Sequence, residues 1–166
     1  MANKIKCNFN MLACHNYDAN TGSINGIFNS IEFGENGIIS FDLLTIINLV
    51  NKNYDTLTIF YCIYNVKKGV ETAKIINKSV LRPRKGVTGS NGRLRETSME
   101  ILSNGIRRIM ISNMKFTEKG DYEIRAYVFW DQEHLEITGK DVKEVEIDML
   151  LKAEENLESV FNLEIT

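Results

Sequence analysis

The stretch from residue 109 to residue 128, IMISNMKFTEKGDYEIRAYV, decides the fold. Apolar alternation at Ile109 and Ile111 leads into a polar turn that contains Gly120, and a second alternation begins at Tyr122. Alternation of this kind is typical of half-buried strands, and the polar residues between the two runs mark a change of direction. The stretch therefore predicts one strand, a corner and a second strand.

A tyrosine at the start of such a second strand has a defined role in immunoglobulin-like sandwiches, where its hydroxyl bonds back to the backbone of the corner. Glu118, Tyr122 and Ile124 stand at the spacing of that tyrosine corner. In antibody domains the position two residues after the tyrosine is a disulfide cysteine, and here it is Ile124. We therefore predict a corner held by packing and a hydrogen bond from Tyr122, without a covalent link.

The length and composition are those of one ordinary globular domain. A chain of 166 residues is long enough to bury a sizeable core. Hydrophobic residues make up 43% and the net charge is -2, so we expect neither disorder nor a partner attracted by overall charge. No apolar run is typical of a signal peptide or a membrane span, which favours a cytosolic protein without membrane contact. The three scattered cysteines, Cys7, Cys14 and Cys62, are then expected to be free thiols.

Apolar runs separated by Asn-Gly, Thr-Gly and Lys-Gly pairs predict strands joined by turns. Residues 38–50 also fit a helical stripe, and their β-branched content and turn-rich flanks favour a strand. Residues 23–33 are expected to form either a short strand pair or one bulged strand with Gly26 at the bulge. Lys67, Lys68, Lys74 and Lys78 are expected to be solvent-side or edge charges. The expected strands are 4–15, 23–33, 38–50, 57–66 in the centre of its sheet, 70–81, 106–113, 122–130, 135–138 and an edge strand over 142–147.

The spacing of apolar residues changes near the C-terminal end of the sequence. Apolar residues recur at spacings of three and four, which predicts an amphipathic helix with Asp148 as its cap; they are Met149, Leu150, Ala153, Leu157, Val160 and Phe161. We therefore expect a mainly antiparallel β-sandwich of immunoglobulin-like or C2-like type over residues 1–147. A C-terminal amphipathic helix and tail over 148–166 would pack on the same domain or on a partner.

Residues 23–31 and 109–128, taken together, resemble a bacterial family of small uncharacterised β-sandwich proteins with an immunoglobulin-like tyrosine corner. In that family an opening strand, an Asn/Asp-Gly turn and an Ile-Gly-Ile-Phe-Asp-like segment precede the sandwich. The resemblance covers roughly residues 7–138 and implies the β-sandwich, but it implies no activity, cofactor or site residue. The chain departs from the family in a basic glycine-rich loop at 82–95 and in an acidic C-terminal region.

The basic loop is the candidate binding segment. Flexible backbone amides beside guanidinium groups can hold phosphates, although the loop lacks the Gly-Lys-Ser/Thr ending of a nucleotide-hydrolase phosphate loop. Three interpretations stay open: a solvated loop, a nucleic-acid or phosphate site, and a site for a protein with an acidic surface. The candidate binding residues are Arg82, Arg84, Lys85, Arg93 and Arg95.

The acidic C-terminal region offers a partner for that loop within the same protein. The basic loop of one chain could meet the acidic tail of another, which predicts head-to-tail or symmetric self-association. The residues that make this region acidic are Glu144, Glu146, Asp148, Glu154, Glu155, Glu158 and Glu164. We therefore expect a cytosolic, non-enzymatic binding or assembly module acting through protein-protein interaction.

Catalytic and metal-binding interpretations have little support. Cys14 and His15 are adjacent, and a strand would send their side chains to opposite faces. His134, beside Asp131 and Glu133, would bind a metal only weakly. We expect no catalytic residue, metal or cofactor, and a small-molecule or enzymatic role would require a deep pocket between the sheets.

The aromatic residues near the end of the strand at 122–130 are expected to lie mainly in the core. An exposed Trp130 would instead indicate a binding face, together with other rings nearby. Those rings are Tyr61, Tyr64, Tyr127 and Phe129.

Overall fold

A computed structural model describes residues 7–49, 56–81, 104–130 and 134–166. Nine strands account for most of these residues. In chain order they are β1 (Cys7–Asp18), β2 (Ser23–Phe28), β3 (Ser30–Ile31), β4 (Ile38–Leu49), β5 (Leu57–Asn65), β6 (Lys74–Leu81), β7 (Asn104–Lys115), β8 (Gly120–Trp130) and β9 (Leu157–Ile165).

The strands form two sheets, and the predicted β-sandwich is confirmed. The four-stranded sheet has the order β2-β1-β4-β7 and is antiparallel throughout. The five-stranded sheet has the order β3-β9-β8-β5-β6, with a parallel pairing only between β3 and β9. As expected, β4 is a strand and β5 lies inside its sheet, between β8 and β6.

The main core lies between the two sheets, because alternate residues of each strand face inward. Phe41, Leu43 and Ile109 from the four-stranded sheet pack with Ile59 and Ile124 from the five-stranded sheet. The buried hydroxyls of Thr45 and Tyr61 lie 2.7 Å apart and satisfy each other across this core. An apolar interior with its polar groups paired is what a stable sandwich requires.

The tyrosine corner is also confirmed. The Tyr122 hydroxyl donates a hydrogen bond of 2.8 Å to the backbone carbonyl oxygen of Glu118, and the Tyr122 ring meets the Phe116 ring edge to face. Gly120 has a φ of 132°, a backbone conformation that favours glycine. The corner therefore joins β7 in one sheet to β8 in the other, as the sequence spacing predicts.

A third layer covers the outer face of the five-stranded sheet. It contains helix α1 (Leu135–Thr138), helix α2 (Ile147–Lys152) and a 3-10 turn (Glu154–Asn156). A second apolar cluster lies beneath this layer and includes Phe60, Phe129, Ile137, Val145 and Leu150. Side chains from residues 134–156 therefore cover the outer face of the five-stranded sheet.

The C-terminal helix is much shorter than expected. Helix α2 covers only the start of the expected 148–166 helix, and Leu157 to Ile165 form β9 beside β8. Leu163 and Ile165, two positions apart on β9, are both buried, as the alternation of a strand requires. Val160 is exposed. Because β9 is an integral strand, the expected boundary between residues 147 and 148 does not separate the sandwich from an appendage.

The expected strands at 135–138 and 142–147 are also corrected. Residues 135–138 form α1, residues 142–144 form turns, and Ile147 begins α2. Ile137 and Val145 turn toward the second apolar cluster instead of extending the sheet, because β9 already occupies the place beside β8. The register of β1 and β2 continues without a shift past Gly26, so no bulge forms there. A Cβ on Gly26 would lie 2.5 Å from the His15 ring, which explains the glycine.

Candidate interaction surfaces

The predicted binding residues of the basic loop, Arg82, Arg84, Lys85, Arg93 and Arg95, lie outside the described residues. Lys78 is described, and its role differs from that of a solvent-side or edge charge. Its Nζ donates hydrogen bonds of 2.7 Å to the carbonyl oxygens of Thr138 and Lys140. The same Nζ lies 5.6 Å from the centroid of the Phe60 ring. Lys78 therefore ties the third layer to the five-stranded sheet.

The seven carboxylates expected to make the C-terminal region acidic are all on exposed residues. Residues 134–166 contain nine acidic and three basic side chains, so this part of the surface is negative. His134 lies near this surface, with its ring nitrogens 3.3 Å from a Glu136 oxygen and 3.7 Å from a Glu155 oxygen. Within the described ranges, no group of three or more His, Cys, Asp or Glu side chains is placed to hold a metal ion.

The aromatic residues considered for a binding face are mostly core residues. Tyr61, Tyr127 and Phe129 are fully buried. Tyr64 is buried as well, and its hydroxyl accepts a hydrogen bond of 2.9 Å from the Arg125 guanidinium. Trp130 is half-buried and packs against the main core. These positions favour the core interpretation of the rings over an exposed aromatic patch.

Cys14 and His15 point to opposite faces of β1, as predicted from their adjacency. The Cys14 side chain is fully buried near Asp42 and Arg108. Burial raises the pKa of the Cys14 thiol, the Asp42 carboxylate raises it further, and Arg108 opposes the rise. The His15 ring stacks on the Phe28 ring at 4.7 Å between centroids. The two side chains therefore do not form a nucleophile-base pair.

The face of the four-stranded sheet that points away from the five-stranded sheet carries an apolar surface, which we call the open face. Its side chains alternate with core residues along β1, β4 and β7. Ile27 and Met110 are 65% and 66% exposed, and Ile46 and Ile106 are also exposed. The open face consists of Asn10, Leu12, Cys14, Ile27, Asp42, Leu44, Ile46, Ile106, Arg108 and Met110.

Strand register arranges the open face in three rows. One row runs Ile27, Cys14, Asp42, Met110, the next runs Leu12, Leu44, Arg108, and the third runs Asn10, Ile46, Ile106. Both faces of β4 are therefore largely apolar, which is usual for a strand covered on both sides. The outer face of the five-stranded sheet is covered by the third layer. The open face exposes Ile27, Ile46, Ile106 and Met110, whereas Cys14, Asp42 and Leu44 at its centre are buried.

An ion pair between a buried carboxylate and an exposed arginine lies within the open face. Asp42 is only 5% exposed. Its Oδ2 accepts a hydrogen bond of 2.9 Å from the Tyr17 backbone N–H and lies 3.0 Å from Nη2 of Arg108. Because the carboxylate and the guanidinium neutralise each other, the pair adds no net charge to the face. The sequence gives one signal that was overlooked, an aspartate inside the apolar run of residues 38–49.

A second surface lies where the edges of the two sheets meet, between β6 and β7. A groove of about 440 Å³ at this place, the seam groove, is lined by residues 74–76 of β6 and 110–115 of β7. A pocket of about 220 Å³, the corner pocket, continues from it toward the tyrosine corner. Lys74 and Lys115 line both spaces. Lys68, also in the corner pocket, forms an ion pair with Glu118.

Both spaces open on the surface, so neither is a deep cavity between the sheets. The side chains of the main core occupy the region between the two sheets. The seam groove and the corner pocket can provide a ligand with apolar contacts and with the positive charges of lysines. The described edge of β7 can also provide backbone N–H and C=O groups. Cys62, the other described free cysteine, is buried under the third layer, and burial raises its pKa to about 11. The side chains described at these surfaces are suited to binding.

Comparisons with known proteins identify no relative. No protein-family model and no curated protein matches the sequence. Among solved structures, the chain is similar to a beta-glucosidase from Listeria innocua, with a TM-score of 0.44, 9% identity and 97% of this chain covered. A mutant of that enzyme in complex with laminaribiose gives a TM-score of 0.46, 9% identity and 98% coverage. This chain spans 16% of the length of either glucosidase chain, and a likeness at this level bears on neither activity nor substrate. In the described part of the chain, no helix is long and apolar enough to cross a membrane.

Proposed function

We propose that the chain is a cytosolic, non-enzymatic assembly module, and that two copies associate through their open faces. The observation that carries the proposal is the set of four exposed apolar side chains on the open face, Ile27, Ile46, Ile106 and Met110. Contiguous apolar patches of this kind on a folded domain mark interaction sites. Scattered single hydrophobic residues would need no such explanation.

The size of the open face suits a stable dimer. Three of its strands have 12 residues each and the fourth has 6. At about 3.4 Å per residue and about 4.8 Å between strands, the face covers roughly 700 Å² in projection. Standard protein interfaces bury about 800 Å² on each partner. The open face can therefore supply the area that a dimer of standard size requires.

The charge distribution favours a second copy as the occupant. Asp42 and Arg108, the two charged members of the open face, are paired with each other, so the face is neutral. A two-fold contact brings the same patch of both copies together, which suits a surface with no charge to repel its own image. Sheets packed face to face are a common way to bury such rows.

The experiment compares two double variants by sedimentation velocity. Ile27→Glu with Ile46→Glu places four carboxylates in the dimer interface, so we expect the dimer to dissociate. Val70→Glu with Val160→Glu makes the same chemical change at exposed apolar residues away from the open face, and this control should stay dimeric. Equal masses for the two variants would contradict the proposal.

Salt separates this proposal from association of the basic loop with the acidic tail. Burial of apolar surface is not weakened by salt, whereas attraction between exposed charges is screened. We expect the dimer to persist when ionic strength rises. Dissociation at high salt would instead support contact between residues 82–95 and the acidic C-terminal region. Nucleic-acid or phosphate binding by residues 82–95 stays a prediction from sequence.

A further inference from the structure

The seam groove lies beside a sheet edge that offers backbone groups for pairing. β7 is the last strand of the four-stranded sheet and pairs only with β4 among the described residues. An edge strand presents a row of unpaired N–H and C=O groups to any strand that approaches it. β7 is 12 residues long, which is long for an edge strand.

Part of β7 is protected against such pairing and part is regular. A register shift opposite Ser40 places two residues, Ser112 and Asn113, against one, and Asn113 has a φ of 54°. Bulges of this kind bend an edge and discourage further pairing. Residues 106–111 precede the bulge in unbroken register with β4. Six regular residues offer roughly 20 Å of edge.

The charges of the seam groove are positive and unneutralised. Lys74 and Lys115 are exposed in its lining, and none of the described lining residues is acidic. Neither lysine has an ion-pair partner among the described residues, whereas Lys68 nearby is paired with Glu118. The rest of the lining is largely apolar, including Ile76 and Met114. Apolar walls with two free cations at one end suit a chain that is both extended and acidic.

We infer that an extended acidic segment of a partner protein adds as a strand beside residues 106–111 of β7 and continues into the seam groove, whose β7 lining begins at Met110 and Ile111. Backbone hydrogen bonds to the β7 edge supply general affinity, as in other cases of strand addition. Alternate side chains of the segment face the apolar wall of the groove, and a carboxylate near its end meets Lys74 and Lys115. Met110 belongs to both the open face and the groove lining, but strand addition at the β7 edge does not require the open-face contact.

The test uses a fluorescein-labelled peptide of alternating valine and glutamate, with an alternating valine and lysine peptide as its charge control. Fluorescence anisotropy at low ionic strength measures binding to the wild type and to two double variants. Lys74→Glu with Lys115→Glu reverses the groove lysines. Lys143→Glu with Lys152→Glu makes the same change in net charge at exposed lysines in the third layer. Amide hydrogen exchange reports whether residues 106–111 become protected.

We expect the acidic peptide to bind the wild type, to bind the groove variant at least tenfold more weakly, and to bind the third-layer variant as it binds the wild type. Amides of residues 106–111 should exchange more slowly in the complex, because their free groups are then paired. Absence of binding at about 1 mM peptide would overturn the inference. It would also be overturned by equal weakening in both variants, or by binding without protection of β7.

Discussion

The Tyr122 hydroxyl donates a 2.8 Å hydrogen bond to the backbone carbonyl oxygen of Glu118 and holds the corner where the chain passes from β7 to β8. Tyr122→Phe removes this bond and little else, so we expect the free energy of unfolding in urea to fall by about 1 kcal/mol. Tyr17→Phe, at a half-buried tyrosine on β1, serves as the control and should change stability by less than about 0.5 kcal/mol. An unchanged midpoint for Tyr122→Phe would show that the corner does not depend on the bond.

The hydrogen bond between Thr45 and Tyr61 joins the two sheets inside the core. Removing one partner leaves the other hydroxyl buried and unsatisfied, so Thr45→Val and Tyr61→Phe should each cost about 1–3 kcal/mol. The double variant should lose less than the sum of the two single losses, because no orphaned hydroxyl remains. Urea unfolding of all four proteins completes the cycle. Strict additivity would mean that the two hydroxyls do not interact.

Tyr61 also predicts how stability depends on alkaline pH. Burial raises its pKa to about 12, and the Thr45 hydrogen bond and Arg107 partly oppose this. An unfolded tyrosine loses its proton near pH 10. Between about pH 10 and about pH 12 the unfolded state therefore binds fewer protons than the folded state, and the free energy of unfolding falls as pH rises. The fall should be shallower in Tyr61→Phe, and parallel slopes for the two proteins would contradict the assignment.

Lys78 predicts how firmly the third layer is attached. Lys78→Met keeps the aliphatic stem but loses both hydrogen bonds to the carbonyl oxygens of Thr138 and Lys140. Hydrogen bonds from a charged donor stabilise by about 1.5–3 kcal/mol each, so we expect the loss of both to cost at least about 3 kcal/mol and to speed amide exchange in α1. Lys74→Met, at an exposed residue of the same strand, should leave both quantities close to wild type. Similar exchange in the two variants would argue against the anchoring role.

The part of the fold that was predictable from sequence is the part set by local pattern. Alternation and turn residues predicted the strands of the sandwich, and the spacing of Glu118 and Tyr122 predicted a specific hydrogen bond. The strand β4 was recognised from β-branched content although its apolar residues also fit a helix. In each case a few neighbouring residues carry the information, and tertiary packing reinforces it.

The C-terminal region could not be predicted in the same way. Leu150 and Ala153 do lie at helical spacing, but from Phe161 onward every second residue, including Leu163 and Ile165, faces the main core. A C-terminal helix would place Val160 in its apolar stripe, but the Val160 side chain is exposed. The choice between the two periods is made by β8, whose residues pair with β9 residues that are 30 to 45 positions away in sequence. Such long-range pairing overrides local propensity.

The candidate surfaces were missed for a related reason. Ile27, Ile46 and Met110 come from three strands and form one face only after the register of the sheet is set. The basic loop at 82–95 can be recognised from sequence because its charged residues are close together in the chain. Asp42 and Arg108 are 66 positions apart in the chain, and only their pairing shows that the open face is neutral.

The mass of the wild-type protein in solution tests the central claim most directly. Sedimentation velocity over a dilution series, at low and at high salt, should show a species of twice the 19.0 kDa chain mass at high protein concentration. This species should dissociate on dilution and persist when the ionic strength rises. A mass of 19.0 kDa at every concentration and both ionic strengths would contradict the proposal that the open face joins two copies of the chain.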